Sequence, residues 1–217
     1  MLSKVLRRRD QGDTLIEVLF AVMVFSLVIV TALTIMNQGS ASAQRSLEMT
    51  LVRQQVDNQA ETLRFLHESY VKNYREGYAD NPNLTLTGAT GEFYKIVQRV
   101  KSTGASSVSA FGNNTTCTTP PGGSFILNPR TARLVTTTGV LQPAPIIAQL
   151  VFDTTTPTSL TRSEGMWIEA IRSPNSTDPS QQNSGYIDFH IRACWYAPGS
   201  KVASNVGTIV RLYEPRS

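Results

Sequence analysis

The sequence predicts an α+β protein: a long N-terminal helix, transmembrane in its first half, packed through its second half on a small, mainly antiparallel β-sheet domain. Three observations lead there. Leu15–Met36 is an apolar run of twenty-two residues broken only by Glu17, Ser26, Thr31 and Thr34. No turn signal ends that run, and a helical period continues to Arg75. Beyond Pro82 the chain turns to short β-type runs between segments rich in Thr, Ser, Gly and Pro.

Each element follows in order. Twenty-two helical residues span about 33 Å, enough to cross a hydrocarbon core. Lys4, Arg7, Arg8 and Arg9 stand before the run against Asp10 alone, which by the positive-inside rule puts the N-terminus in the cytoplasm and later residues outside. After Gly39, Val52, Val56, Ala60, Leu63, His67, Tyr70 and Tyr74 recur at steps of four and three, with Leu47 and Leu51 adjoining, and so mark one helix face. Arg45, Glu48, Arg53, Asp57, Glu61 and Arg64 fall on the other faces, and Gly77 with Asn81-Pro82 ends the pattern. One helix of about sixty residues, roughly 90 Å long, results.

A second helix is predicted over Gly91–Lys101, with Phe93, Ile96, Val97 and Val100 on one face. Predicted strands are Ser124–Leu127, Ala132–Thr136, Ile146–Phe152, Met166–Ile171, Tyr186–Trp195 and Thr208–Tyr213. In the fifth, Ile187, Phe189, Ile191 and Ala193 alternate with Asp188, His190 and Arg192, the pattern of a sheet with one buried face and one wet face. Ser173–Ser184 and Pro198–Asn205 read as exposed loops, and Gly122-Gly123-Ser124 as a turn.

Composition narrows the function classes. The chain has 217 residues, 41% hydrophobic and 17% charged, which suits one globular domain plus an appendage. The net charge is +4, but the first twelve residues hold +3 of it, so the rest carries +1. The basic balance belongs to the leader, and no later charge block forms a nucleic-acid tail. Lys101, Arg130, Arg133, Lys201, Arg211 and Arg216, with Trp195, Tyr196 or Tyr213, are the residues with which a DNA-contacting patch would be built. Scattered solvated charges are the simpler reading. Asn83, Asn113, Asn114 and Asn175 begin sequons that serve as loop markers. The two histidines, His67 and His190, have no cysteine or further histidine at ligand spacing, and Glu68 beside His67 reads as a solvated neighbour. No nucleophile elbow, phosphate loop or dinucleotide fingerprint occurs, so neither an enzyme nor a metal or cofactor is expected.

Cys117 and Cys194 both fall in the outer part. An oxidising compartment favours a disulfide, to which the chain-entropy model assigns roughly 4 kcal/mol; two buried free thiols are the alternative.

The most informative stretch is Gly12-Asp13-Thr14-Leu15-Ile16-Glu17-Val18-Leu19, directly after the basic leader. It resembles the N-terminal signature of the type IV pilin superfamily over about twenty-five residues; beyond them the likeness is architectural. The resemblance implies that a prepilin peptidase cuts after Gly12 and that the new amino group on Asp13 is methylated. Thr14, Leu15, Ile16 and Glu17 match the family pattern, so Glu17 corresponds to the family's fifth mature residue, a glutamate. That carboxylate is expected to meet the α-amine of a neighbouring subunit, while Leu15, Ile16, Val18, Leu19 and Phe20 supply apolar assembly surface. The implied organisation is leader 1–12, assembly helix 13–39, amphipathic continuation 40–76 and extracytoplasmic domain 77–217. The implied partners are other pilin subunits, the peptidase, a membrane assembly platform and the lipid bilayer.

Two departures refine the resemblance. Asp13 stands where the family commonly has Phe, and no Pro interrupts the helix near Thr34, where major pilins often carry one. Both point to a minor pilin or pseudopilin, and Val18-Leu19-Phe20-Ala21 also resembles subunits at filament tips. Without the motif, Glu17 would read as a carboxylate snorkelling to the interface near Arg9. The competing reading of the segment is an ordinary signal peptide cleaved after Ala41-Ser42-Ala43, freeing a soluble protein from about Gln44. Against it, the apolar run exceeds the usual h-region of about 7–15 residues and holds Glu17 near its start.

Overall fold

The computed structural model describes residues 13–74, 85–103, 117, 119–136, 139–144, 146–173 and 185–215. Gly12, the basic leader, Gly77, Asn81-Pro82, the four sequon asparagines, Arg216 and the segment 174–184 lie outside them. The chain divides into two compact units between Leu47 and Glu48.

Helix α1 spans Asp13–Lys72 without a break. In the second unit its buried face is Val52, Val56, Ala60, Leu63, Leu66 and Tyr70, the helical spacing read from the sequence with a corrected phase. Leu66 is fully buried, whereas His67, expected on this face, sits half-buried at its edge. Leu47 and Leu51, expected to adjoin it, are 60% and 43% exposed. Helix α2 spans Gly88–Thr103, longer at both ends than predicted, and buries Phe93, Ile96, Val97 and Val100. At its first turn Gly91 lies so close to the Leu86 carbonyl that a Cβ there would collide with backbone.

Among the described residues, eight strands form three sheets. A hairpin pairs β1 (Ile126–Asn128) with β2 (Arg133–Val135). A second sheet has the order β3 (Leu141–Gln142), β5 (Leu160–Glu164), β4 (Gln149–Phe152), with β3 parallel and β4 antiparallel to the central β5. The third is an antiparallel meander of β6 (Met166–Arg172), β7 (Tyr186–Trp195) and β8 (Ser204–Tyr213), joined to the first by the bridge Phe125–Ile168. The class is thus α+β with mainly antiparallel pairing, as predicted. β3 and β5 were not foreseen, and β8 begins four residues earlier than expected, so Ser204 and Asn205 pair with Trp195 and Cys194 instead of lying in a loop.

One hydrophobic core joins the α1 face, the α2 face and the inward residues Ile187, Phe189, Ile191 and Ala193 of β7. Polar side chains on α1 tie it to the strands. Gln59, fully buried, donates from Nε2 to the Leu127 carbonyl at 2.8 Å and accepts the Leu127 N–H at 3.0 Å. Its primary amide thereby stands in for a neighbouring strand. Gln55 accepts the Leu150 N–H at 2.9 Å, and Trp195 Nε1 donates to Glu48 at 3.4 Å. Between β5 and β6, Gly165 takes φ +64°, and a Cβ there would strike the Cys194 carbonyl and Ala144.

Candidate functional site: the apolar helix and the disulfide-covered sheet face

Within the first unit, α1 is exposed along its length. Leu15, Ile16, Val18, Leu19 and Phe20 are each 60–70% exposed, and the apolar residues onward to Met36 are exposed as well. This helix is long and apolar enough, by length and composition, to cross a membrane. Its polar atoms are handled internally. Ser26, Thr31 and Thr34 donate their hydroxyls to the carbonyls of Val22, Leu27 and Val30 at 2.7–2.8 Å, one turn back. A backbone hydrogen-bonded within the helix and hydroxyls satisfied on it are what a hydrocarbon environment demands. Glu17 is different. It is exposed, and it is the one ionisable side chain between Leu15 and Gln44. Asp13 and Thr14 belong to the helical backbone of the same first turns. In a membrane a carboxylate costs about 2.5–3.5 kcal/mol at the helix centre and less toward an edge, where the start of this apolar run would lie.

No protein-family model, curated protein or solved structure matches this chain.

In the second unit, Cys117 and Cys194 are bonded, with Cα atoms 5.5 Å apart across a separation of 77 residues. Cys194 is on the face of β7 opposite the main core, and there it joins Trp167 and Ala203 in a second, smaller buried cluster. The Cys117 N–H donates to the Tyr196 hydroxyl at 3.0 Å. Cys117 itself packs against this cluster, at one end of the sheet face expected to be wet. Arg192 and Glu169 are buried on this face, 3.5 Å apart, with Trp167 Nε1 donating to Glu169 at 2.8 Å. The wet face survives toward the other end. Asp188 accepts two bonds from Arg211 at 2.7 Å, and the Arg211 guanidinium lies 3.9 Å over the Tyr186 ring. The bond from Arg211 holds the Asp188 carboxyl below its usual range, and Asp188 in turn raises the guanidinium. His190, between the two charged pairs, is pushed below its ordinary value by burial first and by the Arg192 charge second.

The remaining sequence candidates take ordinary structural places. His67 donates from Nε2 to the Tyr213 carbonyl at 2.8 Å and meets Phe93 edge-on. Glu68 pairs with Lys72 at 2.7 Å, which lowers its pKa. Arg130 stacks on Phe152 and bonds the Pro157 carbonyl, while Arg211 is engaged by Asp188. Trp195 is 1% exposed, so its ring is not offered to a nucleic-acid base. Among the described residues no three His, Cys, Asp or Glu side chains gather as metal ligands would. Gln59 and the Trp167–Glu169–Arg192 group were not singled out from sequence. Gln59's position on the buried helical phase, one turn from Val56 and Leu63, was the available signal.

Proposed function

We propose that this chain is a structural subunit of a type IV pilus or related filament, of the minor pilin or pseudopilin kind. The observation that carries the reading is Gly12 followed in order by Asp13, Thr14, Leu15, Ile16 and Glu17, at the start of an unbroken apolar helix. The exposed apolar surface of α1 and the packing of Glu48–Lys72 on an antiparallel sheet support it. So does the helix's passage through Ala41-Ser42-Ala43, which places the alternative signal-peptidase site inside α1.

In this reading the leader is cytoplasmic, α1 spans the membrane once and the domain from Glu48 onward is extracytoplasmic. Cleavage between Gly12 and Asp13 frees an α-amine in the first turn. The helix then leaves lipid for a bundle of like helices, exchanging lipid contacts for close packing. Glu17 pairs with the amine of a neighbouring subunit, which ends its isolation and sets the axial stagger.

Two measurements test this. Mass spectrometry of the native N-terminus is expected to find Asp13, methylated; a start near Gln44 would establish an ordinary secreted protein instead. Glu17→Ala is expected to insert into membranes normally yet be depleted from sheared filaments. Equal incorporation of mutant and wild type would sink the pairing role.

A further inference from the structure

Strand β8 is the edge of the β6–β7–β8 sheet, and its ten residues pair with β7 in one unbroken register. Three backbone bonds fix which way its edge groups face. Ser173 N–H donates to the Tyr186 carbonyl at 2.9 Å and Cys194 N–H to the Gly165 carbonyl at 2.8 Å, so the even-numbered residues of β7 turn toward β6. Glu214 N–H donates to the Gly185 carbonyl at 2.8 Å, so the odd-numbered residues of β7 serve β8 through its even-numbered ones. By alternation, Asn205, Gly207, Ile209, Arg211 and Tyr213 direct their N–H and C=O groups outward. Among the described residues this row meets only the His67 side chain, at the Tyr213 carbonyl.

Unpaired edges of this length are usually blunted by lysine, proline or a bulge. Ser204–Tyr213 contains none of these. Its one charge, Arg211, is already neutralised by Asp188. Ile209 and Tyr213, on the outward row, are 61% and 59% exposed.

We propose that this edge pairs with the β8 edge of a second copy of the chain, antiparallel and centred on Ile209. The occupant follows from the order of residues about that centre. The register sets Ile209 against Ile209, each Arg211 against a Gly207, and each Tyr213 against an Asn205. Every residue opposed in this way has outward-facing backbone groups, as an antiparallel hydrogen-bonded pair requires. On the inner face it sets Val210 against Thr208 and Leu212 against Val206, apolar or β-branched throughout. Centring on Arg211 instead would oppose two guanidinium groups, which is destabilising. Centring on Gly207 would leave Arg211 and Tyr213 beyond the overlap.

The test uses the full chain extracted in detergent. Both native cysteines are bonded to each other, so a substituted cysteine supplies the one free thiol. Opposed residues of a hydrogen-bonded antiparallel pair have Cα atoms about 5.5 Å apart, within disulfide range. Ile209→Cys is therefore expected to give a covalent dimer under mild oxidation. Gly207→Cys should give none, because its counterpart is four residues, about 13 Å, away along the strand. Gly207→Cys mixed with Arg211→Cys should cross-link. Ile209→Lys, which opposes two ammonium groups without touching the inner core, should run as a monomer in sedimentation with an unchanged circular dichroism spectrum. Several outcomes would overturn the proposal: a monomeric wild type, no Ile209→Cys dimer, equal cross-linking by Gly207→Cys, or capture of a different protein at Ile209→Cys. None of these outcomes depends on whether the chain enters a filament.

Discussion

Replacing Gln59 by methionine keeps the side chain's length and removes both bonds to Leu127, and this substitution tests how the second unit is held together. The Gln59 amide and Leu127 are both fully buried, so the orphaned N–H and C=O of Leu127 gain no water in exchange. A buried backbone group left unsatisfied costs about 1–3 kcal/mol, so two cost about 2–6 kcal/mol, less whatever the apolar methionine recovers. A net loss of about 3 kcal/mol would be a large share of the 5–15 kcal/mol typical of a domain. For a unit of this size it lowers Tm by about 6–12 °C, at about 2–4 °C per kcal/mol. Trp167 and Trp195 are each 1% exposed, so tryptophan fluorescence during urea or thermal unfolding reads the transition directly. Gln59→Glu supplies the companion measurement. Its ionised carboxylate would face the Leu127 carbonyl, and the variant should recover stability as pH falls and the acid becomes a donor. If Gln59→Met unfolds within about 0.5 kcal/mol of wild type, the range of ordinary surface changes, the amide is not the clamp described above.

The other expectations concern the outer sheet face. Replacing Cys117 and Cys194 together by serine should cost about 4 kcal/mol on the chain-entropy model for a loop of this length, measured as a shift of the urea midpoint; a change under about 1 kcal/mol would contradict it. Protonating His190 should destabilise the fold. Its folded pKa lies below the ordinary value of about 6.5, so the unfolded chain binds the proton more readily, and stability declines as pH falls through about 6.5 until the lowered folded value is passed. The groups around it are Asp188 and Arg192 on its own strand, Glu169 opposite on β6 and Ile209 opposite on β8. His190→Gln should flatten that decline, and an unchanged pH profile would refute the assignment. The Asp188–Arg211 pair acts lower on the scale: its contribution is present above the ordinary carboxylate pKa of about 4 and lost as pH falls through the depressed value. Arg211→Gln should raise the Asp188 midpoint in an NMR titration.

What the sequence made legible was whatever repeats. Helix α1 was readable because apolar residues recur at its own period, and β7 because Ile187, Phe189, Ile191 and Ala193 alternate with polar residues. Phase errors arose where a polar side chain is buried. The helical count passed from Leu63 to His67, while the core takes Leu66; the buried Gln59 has no apolar signature at all. β5 was hidden for a similar reason. It reads Leu160-Thr-Arg-Ser-Glu, and the residues it buries include Ser163 and Glu164. Ser163 donates to the Met166 carbonyl at 2.7 Å and Glu164 accepts from Gln149 at 2.9 Å. Polar side chains buried through hydrogen bonds, whether to a near neighbour or to another strand, leave no hydropathy pattern. The burial of Arg192 on a nominally wet face goes with its pairing to Glu169 on the neighbouring strand, which alternation within β7 cannot report. The apolar run and the motif at Gly12–Glu17 were, by contrast, wholly local signals.

The polar strand β5 also governs the order in which the small sheet is made. β3 and β4 are both synthesised before it and do not pair with each other; each waits for β5 to enter between them. β4 and β5 are neighbours along the chain, joined through Asp153–Ser159 with the Asp153 N–H donating to the Ser159 carbonyl at 2.9 Å, so this hairpin can form first and β3 adds to the other side of β5. The parallel β3–β5 pair spans the longer stretch of chain, and contact-order arguments make it the slower of the two pairings. A change within Leu160–Glu164 would consequently weaken two pairings at once, because a five-residue segment with little hydrophobic character is the shared partner of both outer strands.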